Sequence, residues 1–309
     1  MTLRPFSRRT ALAGAAAFAA ASGLRPGRPS ARPASPELRR IPSSGEAIPA
    51  VGLGSWITFN VGDDAALRRE CTAVMAAFLD AGGRMIDSSP MYGSAQAVIG
   101  HGLAALGHPP AVFATDKVWT SAGSDGPVQI ERSRGLWGVE RFDLLQVHNL
   151  LGWEAHLRTL FAMKEQGRLR YAGITTSEGR RHDLVERIMR TQPIDFVQIS
   201  YNILDREVEG RILPLAQERG IAVIVNRPFR QGSLTRRLEG TPLPGWAAEI
   251  GATTWAQAIL KFILSHPAVT VTIPATTRPD HARENVAAAT GPLPDDALRR
   301  RMADDVGDL

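Results

Sequence analysis

Eight short apolar runs, separated by stretches with helical spacing, constrain this chain more than any other feature. The runs cover residues 50–53, 84–87, 111–117, 143–148, 171–175, 196–200, 222–225 and 269–274. They are apolar nearly throughout, which is how parallel strands buried on both faces read. Between them lie amphipathic patterns. Asp63-Asp64 can cap a helix that puts Leu67, Cys71, Val74, Met75, Phe78 and Leu79 on one side and stops at Gly82-Gly83. Trp255, Ile259, Phe262 and Ile263 share a helical face that ends before Pro267. Eight strands alternating with helices predict an α/β chain folded as a (β/α)8 TIM barrel. Ahead of the runs, segments 38–41 and 47–49 flank Ser43-Ser44-Gly45 and predict a short N-terminal β-hairpin. A doubly wound open sheet is the runner-up. Against it, no strand is followed by a G-x-G-x-x-G loop, and Gly52-Leu53-Gly54 lacks the third glycine.

The chain divides into an N-terminal segment, 1–36, and a barrel, 37–309. Of its 36 basic and 31 acidic residues, eight arginines and a single acid, Glu37, fall in the first 40 positions. The body then holds 28 basic and 30 acidic residues, so the net charge of +5 belongs to the N-terminus and no nucleic-acid footprint is expected on the barrel. Arg8-Arg9 precedes an uncharged alanine-rich run from Ala11 to Ala21, too short for a stable membrane span. The paired arginines resemble a twin-arginine export signal. That resemblance implies the export machinery as a partner and the periplasm as destination; without a working signal the chain would stay in the cytoplasm. Residues 23–36, rich in Pro, Arg, Ser and Ala, read as a linker. The single cysteine, Cys71, reads as a small buried hydrophobe.

In a barrel of this kind, chemistry sits at the carboxyl ends of the strands. Asp87 ends the second run and Tyr92 follows it on the loop, in MIDSSPMYGS. Lys117 ends the third run and His148 the fourth. Each alone has a plain structural explanation. Together they put an acid, a phenol, an ammonium and an imidazole on one rim.

On these residues the chain resembles the aldo-keto reductase family, from about Ile48 to about Ala289. The family pattern joins an aspartate to a tyrosine five residues on, then a lysine and a histidine on the next two strands, and Asp87, Tyr92, Lys117 and His148 occupy those places. The resemblance implies NAD(P)H-dependent reduction of an aldehyde or ketone. A tyrosine with a pKa near about 10 keeps its proton at neutral pH and can donate it. Lys117 would stabilise the phenolate left behind, Asp87 would hold Lys117, and His148 would hydrogen-bond the carbonyl oxygen.

The resemblance also implies a nicotinamide dinucleotide across the barrel mouth, NADPH with NADH as the alternative. Thr175-Thr176 stand where the family places serine then asparagine, and Gln198 matches a glutamine that shares the task of holding the carboxamide. Asn226 occupies the place of a stacking aromatic, which Asn226 or Arg227 must replace. Pro228 and Gly232 fit a loop that approaches the pyrophosphate. Arg278 is placed for a 2′-phosphate, His281 stands where an arginine is common, Ala275 where a lysine is common, and Asn285 matches an adenine contact. Trp56, Met91 and Trp119 flank the first three strands and would wall a substrate pocket. The short loop after Trp119 and the little chain beyond the last barrel helix predict an open site.

Asp87 and His148, with Asp116 or His156, could be imagined as a metal site. No H-x-x-x-H pairing supports it, no metal is expected, and His156 and His182 read as surface residues. Two other classes stay open: a cofactor-binding, redox-sensing barrel with little turnover, and a barrel hydrolase or sugar-binding protein of the cell envelope.

Overall fold

A computed structural model describes residues 35–309. The expected export signal, and all but the end of the linker, lie outside the described residues. The chain first forms the hairpin: β1 (Leu38–Arg40) and β2 (Ala47–Pro49) pair antiparallel, with Leu38 opposite Pro49 and Arg40 opposite Ala47. Eight parallel strands follow. They are β3 (Leu53–Gly54), β4 (Met85–Asp87), β5 (Phe113–Val118), β6 (Leu144–His148), β7 (Tyr171–Thr175), β8 (Phe196–Ser200), β9 (Ala222–Asn226) and β10 (Val269–Thr272). Each pairs with its neighbour in sequence, so the strand order never reverses as it would in a doubly wound sheet.

The ends of this sheet meet. Gly52 N donates to Thr272 O at 2.8 Å, Thr272 N to Ala50 O at 2.9 Å and Gly54 N to Pro274 O at 3.0 Å. The first run, expected at 50–53, is therefore a regular strand only at Leu53–Gly54, with Val51 bridged singly to Thr272. Close approach of backbones explains the glycines there: a Cβ on Gly54 would sit 2.8 Å from the Ile273 carbonyl oxygen.

Because side chains alternate along a strand, the inward positions form layers. The lowest layer is apolar: Met85, Phe113, Leu144, Tyr171, Phe196 and Ala222 are the first residues of their strands and pack with Ile41 and Ile48 from the hairpin segment. The hairpin is thus the plug of the barrel floor. Phe113 stacks on Tyr171 at 5.9 Å, and Tyr171 meets Phe196 edge-on at 5.5 Å. The Tyr171 hydroxyl also donates to Glu46 at 2.7 Å, tying hairpin to barrel.

A second, larger core lies between strands and helices. The helix Ala65–Asp80 is capped as expected by Asp64, whose carboxylate accepts from Ala66 N at 2.8 Å and Leu67 N at 3.0 Å. Cys71, Val74, Met75 and Phe78 are buried, but Leu67, expected on that face, is exposed in the first turn. The helix Trp255–Leu264 buries Ile259, Phe262 and Ile263. After Pro279–Ala287 the chain adds one more helix, Asp296–Asp308, which the sequence reading did not anticipate. Trp246 Nε1 donates to Asp305 at 2.7 Å and Arg299 reaches Tyr201 Oη at 2.6 Å. None of its residues line the cleft at the strand ends, so that end stays uncovered by it.

The floor packing predicts that Phe113→Ala lowers the free energy of unfolding by about 3–5 kcal/mol, measured by chemical denaturation. A loss under about 1 kcal/mol would mean the floor does not close the barrel.

Candidate active site

The four rim residues converge. Lys117 Nζ lies 2.6 Å from Asp87 Oδ2 and 2.7 Å from the Ser88 carbonyl oxygen. The lysine is 0% exposed and the aspartate 2%. Pro90 and Met91 turn the chain above them, closed by a bond from Tyr92 N to Ser89 O at 3.0 Å. This brings the Tyr92 ring over Lys117, with its centroid 5.0 Å from Nζ. The His148 ring meets the same ring edge-on at 5.8 Å.

Burial sets the charges. It would pull the Lys117 ammonium down, but Asp87, together with Tyr92 and Asp116, outweighs it and the pKa is raised. Burial pushes Asp87 up, and Lys117 opposes that rise. Burial also raises the Tyr92 phenol above its ordinary value, again opposed by Lys117. His148 is lowered to about 3, by burial first and then by the charges of Lys117 and Arg180. At neutral pH the group therefore holds an ammonium, an intact phenol and a neutral imidazole.

One network joins these residues to the neighbouring strands. Gln198 Nε2 donates to Asp87 Oδ1 at 3.0 Å, and Thr175 Oγ1 donates to Gln198 Oε1 at 3.0 Å. Asn226 Nδ2 bonds Thr176 O at 2.9 Å, and its own Oδ1 accepts from Ser200 at 2.7 Å. Asp87 thus has one oxygen on Lys117 and the other on Gln198, and its backbone carbonyl accepts from Ser55 Oγ at 2.8 Å.

A cleft of about 1310 Å³ opens over this group. Single small-molecule sites usually span about 300–1,000 Å³, so the cleft is larger than one small ligand needs. Thr175, Thr176, Gln198, Asn226, Arg227, Pro228, His281 and Asn285 all line it, as do Tyr92, His148, Trp56 and Met91. Polar amides and hydroxyls cluster beside His148, and the lining continues to the first helical turn at His281. Size and donor set fit a dinucleotide.

Two expected members are elsewhere. Trp119 is 39% exposed and does not line the cleft; Gln129 clamps its backbone, accepting from Trp119 N at 2.6 Å and donating to Trp119 O at 2.9 Å. Arg278 is also outside it. The acid two residues on, Asp280, takes its guanidinium by two bonds at 3.0 and 2.5 Å. Conversely, the sequence reading missed Ser89, Ser55, Arg180 and Arg236. Ser55, Arg180 and Arg236 line the cleft, and Ser89 Oγ lies 2.7 Å from His148 Nδ1. Only Ser89 carried a signal, as a small polar residue between a strand end and Tyr92.

Among the described residues no three His, Cys, Asp or Glu side chains gather as a metal site. His156, expected at the surface, is 1% exposed, because its helix packs against the loop after β5 and Nε2 bonds Thr120 O at 2.9 Å. His182 is half-buried, with Nδ1 3.1 Å from Glu207. Cys71 is buried, and burial pushes its thiol to about 11.

Comparison with known proteins agrees with this geometry. The model of the aldo/keto reductase family matches residues 50–301. The methylglyoxal reductase YeaE of Escherichia coli is 28% identical over 260 residues, which is 81% of this chain and 89% of that protein. An NADH-specific methylglyoxal reductase of the same organism is 24% identical, over 86% of this chain and 99% of that one. Among solved structures, the thermostable aldo-keto reductase Tm1743 superposes with a TM-score of 0.72 at 26% identity, covering 88% of this chain and all of that one (100%). An aldo/keto reductase from Klebsiella pneumoniae, solved with NADP and acetate, gives 0.73 at 22% identity, covering 86% and 95%.

Asp116 points away from the cleft and supplies a pH test. It is fully buried, with Oδ2 accepting from Gln96 Nε2 and Oδ1 from Lys117 N, both at 2.7 Å. Burial raises it from 3.8 to about 7, against the pull of these bonds. A raised carboxyl contributes stability that is present below its ordinary pKa and lost as pH rises through the folded value. The urea midpoint of the wild type should therefore fall relative to Asp116→Asn between about pH 4 and 7. A constant difference across that window contradicts the assignment.

Proposed function

The chain belongs to the aldo/keto reductase family, and we propose that it reduces a small aldehyde or ketone to the alcohol with Tyr92 as proton donor. The reading rests most on one observation: a water-excluded lysine paired with Asp87 lies under the Tyr92 ring, which meets the His148 imidazole edge-on, at the base of the cleft. Bound NAD(P)H supplies the hydride. The chain's own groups manage the proton. Tyr92 Oη gives it to the carbonyl oxygen, and the Lys117 charge stabilises the phenolate that remains. Asp87 keeps Lys117 charged and in place. His148 orients the carbonyl by hydrogen bonding to its oxygen. A sensing role without turnover is not favoured, since every group the reaction needs is present and assembled.

Thr175, Thr176, Gln198, Asn226, Arg227, Pro228, His281 and Asn285 would hold the dinucleotide. NADPH is the cofactor assigned, with NADH also accepted: a structural neighbour was solved with NADP, and one relative is an NADH-specific reductase. Methylglyoxal is the substrate to test first, after the two reductases named for it. The apolar wall at Trp56 and Met91 suits a small carbonyl compound. We further assign residues 1–36 to export through a twin-arginine route into the periplasm. The support is the Arg8-Arg9 pair ahead of the alanine-rich run.

Tyr92→Phe should bind NADPH as the wild type does, read by tryptophan quenching, while kcat with methylglyoxal falls about 10²- to 10⁴-fold. Undiminished turnover would overturn the donor assignment. Replacing Arg8 and Arg9 by lysine should retain the full-length protein in the cytoplasm, measured by cell fractionation; an unchanged distribution would show that the pair is not an address.

A further inference from the structure

We propose that Ser89 is a positioning residue that fixes the tautomer of His148, so that the imidazole presents Nε2–H to the cleft. The inference rests on the reading of His148 as the group that bonds the carbonyl oxygen.

Ser89 lies between the end of β4 and Tyr92 and is 0% exposed. Its oxygen has two partners: Met91 N donates to it at 3.1 Å, and His148 Nδ1 lies at 2.7 Å. A serine hydroxyl has one proton to donate. The Met91 amide can only donate, so the one acceptor within reach of that proton is His148 Nδ1. If Nδ1 carried the imidazole proton instead, Ser89 Oγ would receive two N–H groups and its own proton would be buried without an acceptor. An unmet buried donor disfavours that arrangement roughly 5- to 150-fold.

The imidazole has a single proton to place. Lys117 and Arg180 both oppose a positive charge on it. With Nδ1 accepting from Ser89, the proton sits on Nε2. His148 lines the cleft, and this tautomer offers a donor to a carbonyl oxygen where the other would offer a lone pair. Ser89 serves the proposed proton donor as well, because its carbonyl holds the Tyr92 amide at 3.0 Å. One residue therefore sets both groups that face the substrate oxygen. The serine before it does neither: Ser88 Oγ is buried without a partner, while its carbonyl accepts from Lys117 and its amide donates to Thr115 O.

The test is nitrogen NMR of the full chain labelled with ¹⁵N-histidine, the His148 signals being assigned by their loss in His148→Gln. Long-range proton–nitrogen correlations distinguish the two tautomers directly, without substrate. The expected result is Nε2–H for His148 in the wild type and a mixture of tautomers in Ser89→Ala. In the same variant, kcat/KM for methylglyoxal with NADPH should fall roughly tenfold or more, while tryptophan quenching by NADPH is unchanged. An Nδ1–H wild type, or an Nε2–H fraction that does not change in Ser89→Ala, overturns the proposal. An Nε2–H signal that depends on Ser89, in a protein inert toward aldehydes, upholds the tautomer device and overturns the reductase reading instead.

Discussion

Lys117 and Asp87 meet at 2.6 Å with almost no access to water, and the arrangement of the barrel mouth follows from that pair. Two buried ions are costly unless each is fully bonded. Here the ammonium has the carboxylate and the Ser88 carbonyl, and the carboxylate has Lys117 and Gln198. Removing one partner of such a pair typically costs about 3–5 kcal/mol, because the other charge is left uncompensated. The contacts therefore dictate positions. They tie the ends of β4 and β5 to the middle of β8, and Gln198 then relays the constraint to Thr175 on β7.

The rest of the barrel makes that pair tenable. The hairpin and the first residues of the strands form an apolar floor, so polar inward positions occur only higher up. Period-two alternation does the sorting: on β5, Phe113 lies in the floor and Lys117, four residues on, reaches the mouth. The same spacing takes β6 from Leu144 to His148 and β7 from Tyr171 to Thr175. A dry base under a polar rim keeps the ammonium desolvated without leaving it unpaired, and a charge held this way acts strongly on the phenol above it.

Much of this was legible in the chain. Strands buried on both faces announce themselves as apolar runs, which is why β7 and β8 fell at their expected residues. Asp87, Lys117 and His148 stood out as polar residues ending such runs. What was hidden depended on side-chain contacts that spacing does not reveal. Arg278 stands where a phosphate ligand is expected, but its exposed guanidinium pairs with Asp280 and lies outside the cleft lining. Trp119 looks like a pocket wall until Gln129, ten residues on, clamps its backbone. His156 has no local sign of burial, since its partner is a carbonyl on another loop. The helix Asp296–Asp308 buries Met302 and Val306 together with Arg299, a residue that reads as solvated. Ser89 was adjacent to a recognised motif, but its role depends on a histidine 59 residues away.

The central claim is that Lys117 matters to the chemistry through Tyr92. A double-mutant cycle on single-turnover NADPH consumption with methylglyoxal tests it directly, using Tyr92→Phe, Lys117→Met and the pair. If the ammonium acts by stabilising the phenolate, each single change removes the same contribution. The double variant should then be about as slow as the slower single one. Losses that multiply in full would mean that the two residues act independently, and would contradict the account.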